Sequence, residues 1–227
     1  MNTTEQQILN ALYEFISDSK REMFDRIASE RTNYITVGME NILKEHNASA
    51  VIRSCDCFGV QHLHTIEKNR EYAILTEISK GAGTWVDVHS YTTGNDPTLD
   101  CIQQLRDQGY RIVATSPHTE KTVQDIDISS PIALIFGTER DGISQQAIQL
   151  ADETIGIPMV GFTESLNVSV STAILLHELR NRLATSALDW KLSEEEQTRL
   201  KITWCTSIIN NGSKVEQEIR RRILEKE

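Results

Sequence analysis

Three short stretches carry the side chains best suited to chemistry: Asn47 with Arg53, Gly137 with Glu139, and Ser165 with Leu166 and Asn167. An asparagine amide has no acid–base function near neutral pH, and arginine stays protonated, so Asn47 and Arg53 suit positioning and electrostatic work. Each stretch falls at the predicted end of a strand or helix, where it can line a pocket. The segment 131–144, PIALIFGTERDGIS, reads as a buried strand that breaks at a glycine. The segment 158–179, PMVGFTESLNVSVSTAILLHEL, follows an apolar run that stops at Pro158, turns through Gly161 and Ser165, and enters a helix. Both deliver backbone and small polar side chains to the carboxyl end of a strand, which is where ligands bind in an open α/β sheet.

Those side chains need a frame. Residues 3–30 are predicted helical, with Ile8, Leu9, Leu12, Phe15 and Ile16 on one stripe, Met23, Phe24 and Ile27 on a second, and a break near Ser17–Ser19. Tyr34–Val37, Gln61–Ile66, Trp85–His89, Arg111–Thr115, Ile132–Phe136 and Glu153–Ile157 read as strands, the third following a loop at Gly81, Ala82 and Gly83. Their alternation with helices predicts α/β with a mainly parallel sheet. One helix is expected to start at an Asn47 cap, bury Val51, Ile52, Cys55 and Phe58, and end at Gly59. Arg53 then lies off the apolar stripe, near Ser49 and Asp56, where taken alone it reads first as a surface ion-pair partner. Further helices are predicted over 98–109 and 144–150, and in the long helix Val168, Thr172, Leu175, Leu176, Leu179 and Leu183 share one face. A linker at 184–192 leads to a tail in which Ser193 precedes three glutamates, Ile202, Trp204, Cys205, Ile208 and Ile209 supply an apolar side, and a last helix follows Asn211 and Gly212. The boundaries are a helical extension at 1–30, an α/β domain at 31–183 and a helical tail at 184–227.

The net charge of −10 argues against coating nucleic acid through bulk charge and leaves room for a local basic groove. Basic groups lie at Lys20, Arg21, Arg26 and Arg31, at Arg180 and Arg182, and at Lys214 with Arg220–Arg222. Each is diluted by acids, so solvated helix faces with i,i+4 pairs are the plain alternative. No run of about 18 apolar residues and no signal-peptide pattern is seen, and the expectation is a cytoplasmic protein without a membrane span. The four cysteines lack a disulfide framework, which fits a reducing compartment. Cys55 and Cys57 with His62 and His64 could be read as zinc ligands. A C-x-C inside a helix points its thiols in different directions, so no metal is expected.

No G-x-G-x-x-G after a strand, no G-x-x-x-x-G-K-[ST] and no G-x-S-x-G is present, which removes most support for dinucleotide, ATP and esterase chemistry. What is present, in order, is HNASAVIRSCDCFGV, IALIFGTERDGIS and IPMVGFTESLNVSVSTAILL. These segments resemble the three motifs of the SpoU/TrmH family of RNA ribose 2′-O-methyltransferases, within the SPOUT superfamily, and the resemblance runs from about residue 31 to 180. N-x-S-A-x-x-R-x-x-D, F-G-x-E and S-L-N-V-S-V together are highly specific. The helical extensions look most like the tRNA-directed branch, which methylates the guanosine at position 18 of the D-loop.

The resemblance implies a SPOUT α/β knot, a deep trefoil in which the last part of the sheet threads an earlier loop, an exception to the rule against knots. It also implies a homodimer with active sites at the subunit interface, S-adenosylmethionine as cofactor and tRNA as partner. Asn47, Arg53, Glu139, Ser165 and Asn167 match the family's catalytic positions, while Thr115, Gly137, Ile157 and Leu166 match cofactor-binding ones. The loop after Thr115 differs in length from close relatives, and Thr138, Arg140 and Asp141 vary. Arg180 and Arg182 do not map cleanly onto the family's RNA-contacting arginines. The family account makes Arg53 a general base. An arginine more easily stabilises a developing alkoxide and clamps a neighbouring phosphate. Asn47 would orient Arg53 or hold the ribose, or be a plain cap, as Ser165 and Asn167 could be for the long helix. Glu139 could pair with an arginine across the interface. An rRNA-directed enzyme, a catalytically silent RNA-binding dimer and a small-molecule methyltransferase are the alternatives.

Overall fold

The computed structural model describes residues 4–42, 44–67, 82–138 and 140–225. In chain order the elements are α1 (Thr4–Tyr13), α2 (Asp18–Ala28), β1 (Ile35–Glu40), α3 (Glu45–Cys57), β2 (His62–Ile66), β3 (Asp87–Tyr91), α4 (Pro97–Asp107), β4 (Arg111–Thr115), β5 (Ile132–Phe136), α5 (Gln145–Leu150), β6 (Glu153–Ile155), α6 (Val168–Ala184), α7 (Glu194–Ile208) and α8 (Gly212–Leu224). They divide into two compact units, residues 32–190 and residues 1–31 with 191–227.

In the smaller unit the N-terminal and tail helices pack together. Ile8, Leu9, Leu12, Phe24, Trp204 and Cys205 are buried, as the apolar stripes predict, whereas Phe15 and Ile208, expected on the same stripes, are exposed. Phe24 meets Trp204 edge to face at 5.3 Å, and the buried Arg31 guanidinium lies 5.5 Å from the Trp204 ring. Ser193 caps α7 in a reciprocal box with Glu196.

In the larger unit the six predicted strands form one sheet in the order β3-β2-β1-β5-β4-β6, and every recorded pairing is parallel. β1 lies inside the sheet and is buried along its whole length, as a strand covered on both faces must be. Ile35, Val37, Leu63, Val113, Leu134, Val51, Ile52, Leu175 and Leu179 share one core cluster, which joins α3 and α6 to the sheet. Cys101, Ile102, Leu105, Ile112, Ala133 and Ala147 belong to a second, which joins α4 and α5 to it. The buried residues of α6 are Val168, Thr172, Leu175, Leu176, Leu179 and Leu183, the predicted stripe. The loop expected before β3 is only partly described, because Gly81 lies outside the described residues, whereas Ala82–Thr84 form a single 3₁₀ turn.

At the end of β1, buried Glu40 accepts from Thr98 Oγ1 at 2.7 Å and from Ser144 N and Oγ, each at 2.8 Å. One carboxylate thereby joins the starts of α4 and α5 to the centre of the sheet. Glu40→Ala leaves buried Thr98 and half-buried Ser144 without that acceptor, and urea unfolding should show a loss of about 2–4 kcal/mol.

The residues of the zinc reading part company. Cys55 is buried in the core, whereas Cys57 is exposed. His62 and His64 instead face β3, with His62 Nδ1 3.0 Å from His89 Nε2 and His64 stacked on His89 at 4.8 Å. Burial, then the neighbouring His89 and His62, push the His64 pKa down to about 3 from 6.5. The unfolded chain therefore binds more protons than the folded one between those values, and stability is lost as pH falls through that window. Urea midpoints should drop from pH 7 to pH 4, and less steeply in His64→Gln.

Candidate functional site

The carboxyl ends of β4, β5 and β6 open into a cavity of ≈ 380 Å³, whose lining includes Thr115, Gly137, Ile157, Ser165 and Leu166. That size suits a small-molecule ligand. All four residues expected to bind a cofactor line it, and so does Ser165.

Much of its wall is bare backbone. The chain after β5 folds back on itself, with Thr138 N donating to Gly142 O at 2.9 Å and Gly142 N to Thr138 O at 3.1 Å. A Cβ placed on Gly137 would lie 2.1 Å from Ile143 N and 2.2 Å from Gly142 O, so only glycine fits there. Gly156 is held likewise, since a Cβ at that position would fall 2.7 Å from Ser116 O. Thr115 has its hydroxyl spent on Ile135 O at 3.0 Å, leaving that oxygen only as an acceptor. Backbone walls of this kind can read an adenine edge through N–H and C=O groups. A nucleoside-bearing cofactor therefore fits the residues present.

Beside this cavity α6 begins. Asn167 is its cap, with Oδ1 accepting from Ser169 N at 2.8 Å and Ser169 Oγ at 2.6 Å. Its Nδ2 donates to Asn47 Oδ1 at 3.0 Å, across 120 residues of chain. The cap expected at Asn47 is therefore corrected. α3 begins at Glu45 after Lys44, which makes no side-chain cap bond, and Asn47 sits inside the helix, 2% exposed. The tertiary bond to Asn167 outweighs the preference of asparagine for a free helix start.

Arg53 lies on the exposed side of α3 and makes no ion pair with a described residue, Asp56 included. Six residues on an α-helix separate two side chains by about 120° and about 9 Å. Asn47 therefore cannot orient Arg53 from the same helix. Glu139 lies outside the described residues.

The predicted basic groups are mostly committed. Arg180 Nε donates to Phe58 O at 2.8 Å, with its guanidinium 3.9 Å from the Trp190 ring centroid. Arg182 donates to Val123 O and to Ile126 O, the latter at 2.6 Å. Arg220 pairs with Glu5 and Glu216, and Arg221 and Arg222 share Glu218. The residues sequence reasoning missed are cavity-lining ones in loops: His118, Gly142, Ile143, Gly156, Met159 and Glu164. Of these only Gly142, five residues after Gly137, carried a signal, since two close glycines mark a tight return.

Comparison with known proteins matches residues 34–177 to the model of the SpoU rRNA Methylase family. A tRNA (guanosine(18)-2′-O)-methyltransferase of Borreliella burgdorferi is 32% identical over 212 residues, covering 93% of this chain and 95% of that protein. The crystal structure of an Aquifex aeolicus TrmH/SpoU tRNA modifying enzyme superposes with a TM-score of 0.72 at 28% identity, covering 85% of this chain and 98% of that one. The fold is also that of the SpoU methyltransferase AviRb from Streptomyces viridochromogenes, solved in complex with the cofactor AdoMet, with a TM-score of 0.58 at 24% identity, covering 71% of this chain and 62% of that one.

The amide pair can be weighed directly. Asn167→Ser keeps a capping oxygen but cannot span the distance to Asn47. In a double-mutant cycle with Asn47→Ala the two changes should couple by about 0.5–2 kcal/mol. Additive losses in urea unfolding would mean that the bond contributes no stability.

Proposed function

This chain belongs to the SpoU rRNA Methylase family, and we propose that it transfers a methyl group from S-adenosylmethionine to the ribose 2′-hydroxyl of a guanosine in tRNA, at position 18 of the D-loop. The observation that carries the reading is the junction of the two motif helices, where the Asn47–Asn167 bond stands beside a backbone-walled cavity. The tRNA target is supported by the name of the Borreliella relative and its near-complete coverage. The cofactor is supported by the AdoMet complex of the AviRb fold neighbour and by the glycine-lined wall.

When bound, S-adenosylmethionine supplies a methyl group made electrophilic by its sulfonium. Gly137, Ile157 and Leu166 would hold it through main-chain groups, and Thr115 would offer a hydroxyl oxygen. The protein's share of the chemistry is to keep the hydroxyl, methyl and sulfur in line and to exclude water. Asn167 and Asn47 fix the start of α6 against α3, so the loop carrying Ser165 and Leu166 has a rigid anchor. Arg53 is a permanent cation on an exposed face, suited to a backbone phosphate and to the negative charge that grows on the ribose oxygen. Glu139 completes the set as the acidic residue of the second motif.

The reading includes the threaded chain of the family and a homodimer in which exposed Arg53 serves a site at the subunit interface. Val160 and Phe162 support a dimer, being fully exposed on the loop that leads to Ser165. Buried free thiols at Cys55, Cys101 and Cys205 agree with a cytoplasmic location. Among the described residues no helix is long and apolar enough to cross a membrane.

The test is incubation with labelled S-adenosylmethionine and matched tRNA and rRNA transcripts, followed by mapping of the 2′-O-methyl nucleotide. A single methylated guanosine in the D-loop is the expected result. Label in rRNA alone overturns the target, and cofactor binding without transfer to either RNA overturns the activity. Arg53→Ala and Asn167→Ala should each reduce turnover by at least about 10²-fold while the chain stays folded and dimeric by light scattering. Near wild-type turnover in either would remove that residue from the site.

A further inference from the structure

If the chain uses S-adenosylmethionine, which the following rests on, its cavity has two ligands to tell apart. The cofactor carries a sulfonium and an ammonium against one carboxylate, and so a net positive charge. Loss of the methyl group leaves a neutral thioether in a molecule without net charge. Base, sugar and amino-acid end are the same in both, so a site can separate them chiefly by the charge at sulfur.

The cavity holds a group suited to that task. Among the described residues its lining contains one arginine, Arg140, and two carboxylates, Asp141 and Glu164, with His118 as the remaining titratable group. Asp141 is answered inside its own loop, where Arg140 Nε lies 3.9 Å from its Oδ1. Glu164 is exposed and makes no hydrogen bond or ion pair with a described residue. One negative charge at the cavity is therefore left without a protein partner. The backbone wall at Gly137 and Gly156 offers only the partial charges of its peptide groups.

The place of Glu164 in the chain suits the sulfonium as well. It directly precedes Ser165 and Leu166, which line the cavity with it. Asn167, the next residue, is bonded to Asn47 at 3.0 Å, so the loop is held where it enters α6. Leu166 is an expected cofactor contact and Ser165 an expected catalytic position. The reacting end of the cofactor therefore belongs beside this loop, where the methyl group has to meet the ribose.

We propose that Glu164 makes the cavity select the charged cofactor over its demethylated product, by keeping a carboxylate beside the sulfonium. No bond to Glu164 forms or breaks. Once the methyl group has left, the positive charge at sulfur is gone and the product is held less tightly. Because the charge already disperses in the transition state, the gain lies in binding and release rather than in the chemical step.

The test is calorimetric titration of the full-length protein, wild type and Glu164→Gln, with three ligands. These are S-adenosylmethionine, S-adenosylhomocysteine, and sinefungin, in which an amine supplies the positive charge in place of the sulfonium. Glu164→Gln should weaken S-adenosylmethionine and sinefungin by about fivefold and S-adenosylhomocysteine by less than about twofold. Glu164→Asp, which keeps the charge, should retain most of the preference. In wild type the preference should shrink at about 0.5 M salt, because the carboxylate is exposed. Equal weakening of all three ligands overturns the proposal, since the carboxylate would then serve the ammonium they share. Unchanged binding of all three overturns it as well, as does a selective loss in Asp141→Asn with none in Glu164→Gln. In those cases the wild type still binds the cofactor and the proposed function stands, whereas a wild type that binds none of the three removes both.

Discussion

A single hydrogen bond between two amides ties together the starts of the two motif helices of the larger unit. Asn167 uses its oxygen on its own helix start and its nitrogen on Asn47, so one side chain serves as cap and clamp. Because the oxygen is committed to an N–H donor, the amide can face Asn47 only with its nitrogen. Replacing either residue by an apolar one would remove this polar contact between α3 and α6 while leaving their shared apolar packing, and a charged residue at 47 would have to be buried. The pairing explains why two asparagines so far apart in the chain both belong to recognisable motifs. Each is half of one contact.

Glu40 plays a matching part at the end of β1. It is buried at the end of a central strand, where an unpaired carboxylate would be costly. Three donors from Thr98 and Ser144 answer it. Ser144 in turn caps α5, and α5 follows the loop that Gly137 opens. The backbone wall is thus anchored at both ends, by β5 before it and by Glu40 after it. The main-chain part of the wall needs such anchoring, since it has no rotamers with which to adjust.

Much of this frame is legible in the residues. The strands announce themselves as short apolar runs, and the α6 stripe agrees residue for residue, because a helix covered on one side has to repeat its apolar positions every three or four residues. The cavity-facing positions Thr115, Gly137, Ile157 and Leu166 come from the resemblance, and periodicity alone would not supply them. Asn47 reads as a cap because local preference is the only force visible at that point, while its partner stands 120 residues away. The clamp by Glu40 is invisible in sequence for the same reason. Loop residues such as His118 and Met159 face the cavity through the path of the backbone, which no local pattern encodes.

Charge placement gives the last step. Residues 32–190 carry 20 of the acidic and 11 of the basic side chains, a net −9, so this unit repels a polyanion at long range. Arg180 and Arg182, the arginines nearest the end of the long helix, are spent on main-chain carbonyls and an indole ring. Those contacts engage main-chain acceptors and fasten α6 to Phe58, Ile126 and Trp190, which makes them structural cations rather than a docking surface. An RNA approaching such a unit gains little from its average field and must be held by cations that the fold leaves uncommitted. Arg53 is one, on a helix face shared with Ser49 and His46. A short stripe of this kind gives few phosphate contacts, so binding should depend only modestly on salt. Discrimination between RNAs then rests on local contacts more than on bulk attraction. On this reasoning the acidity of the unit favours selectivity, because it weakens every complex held by bulk attraction alone.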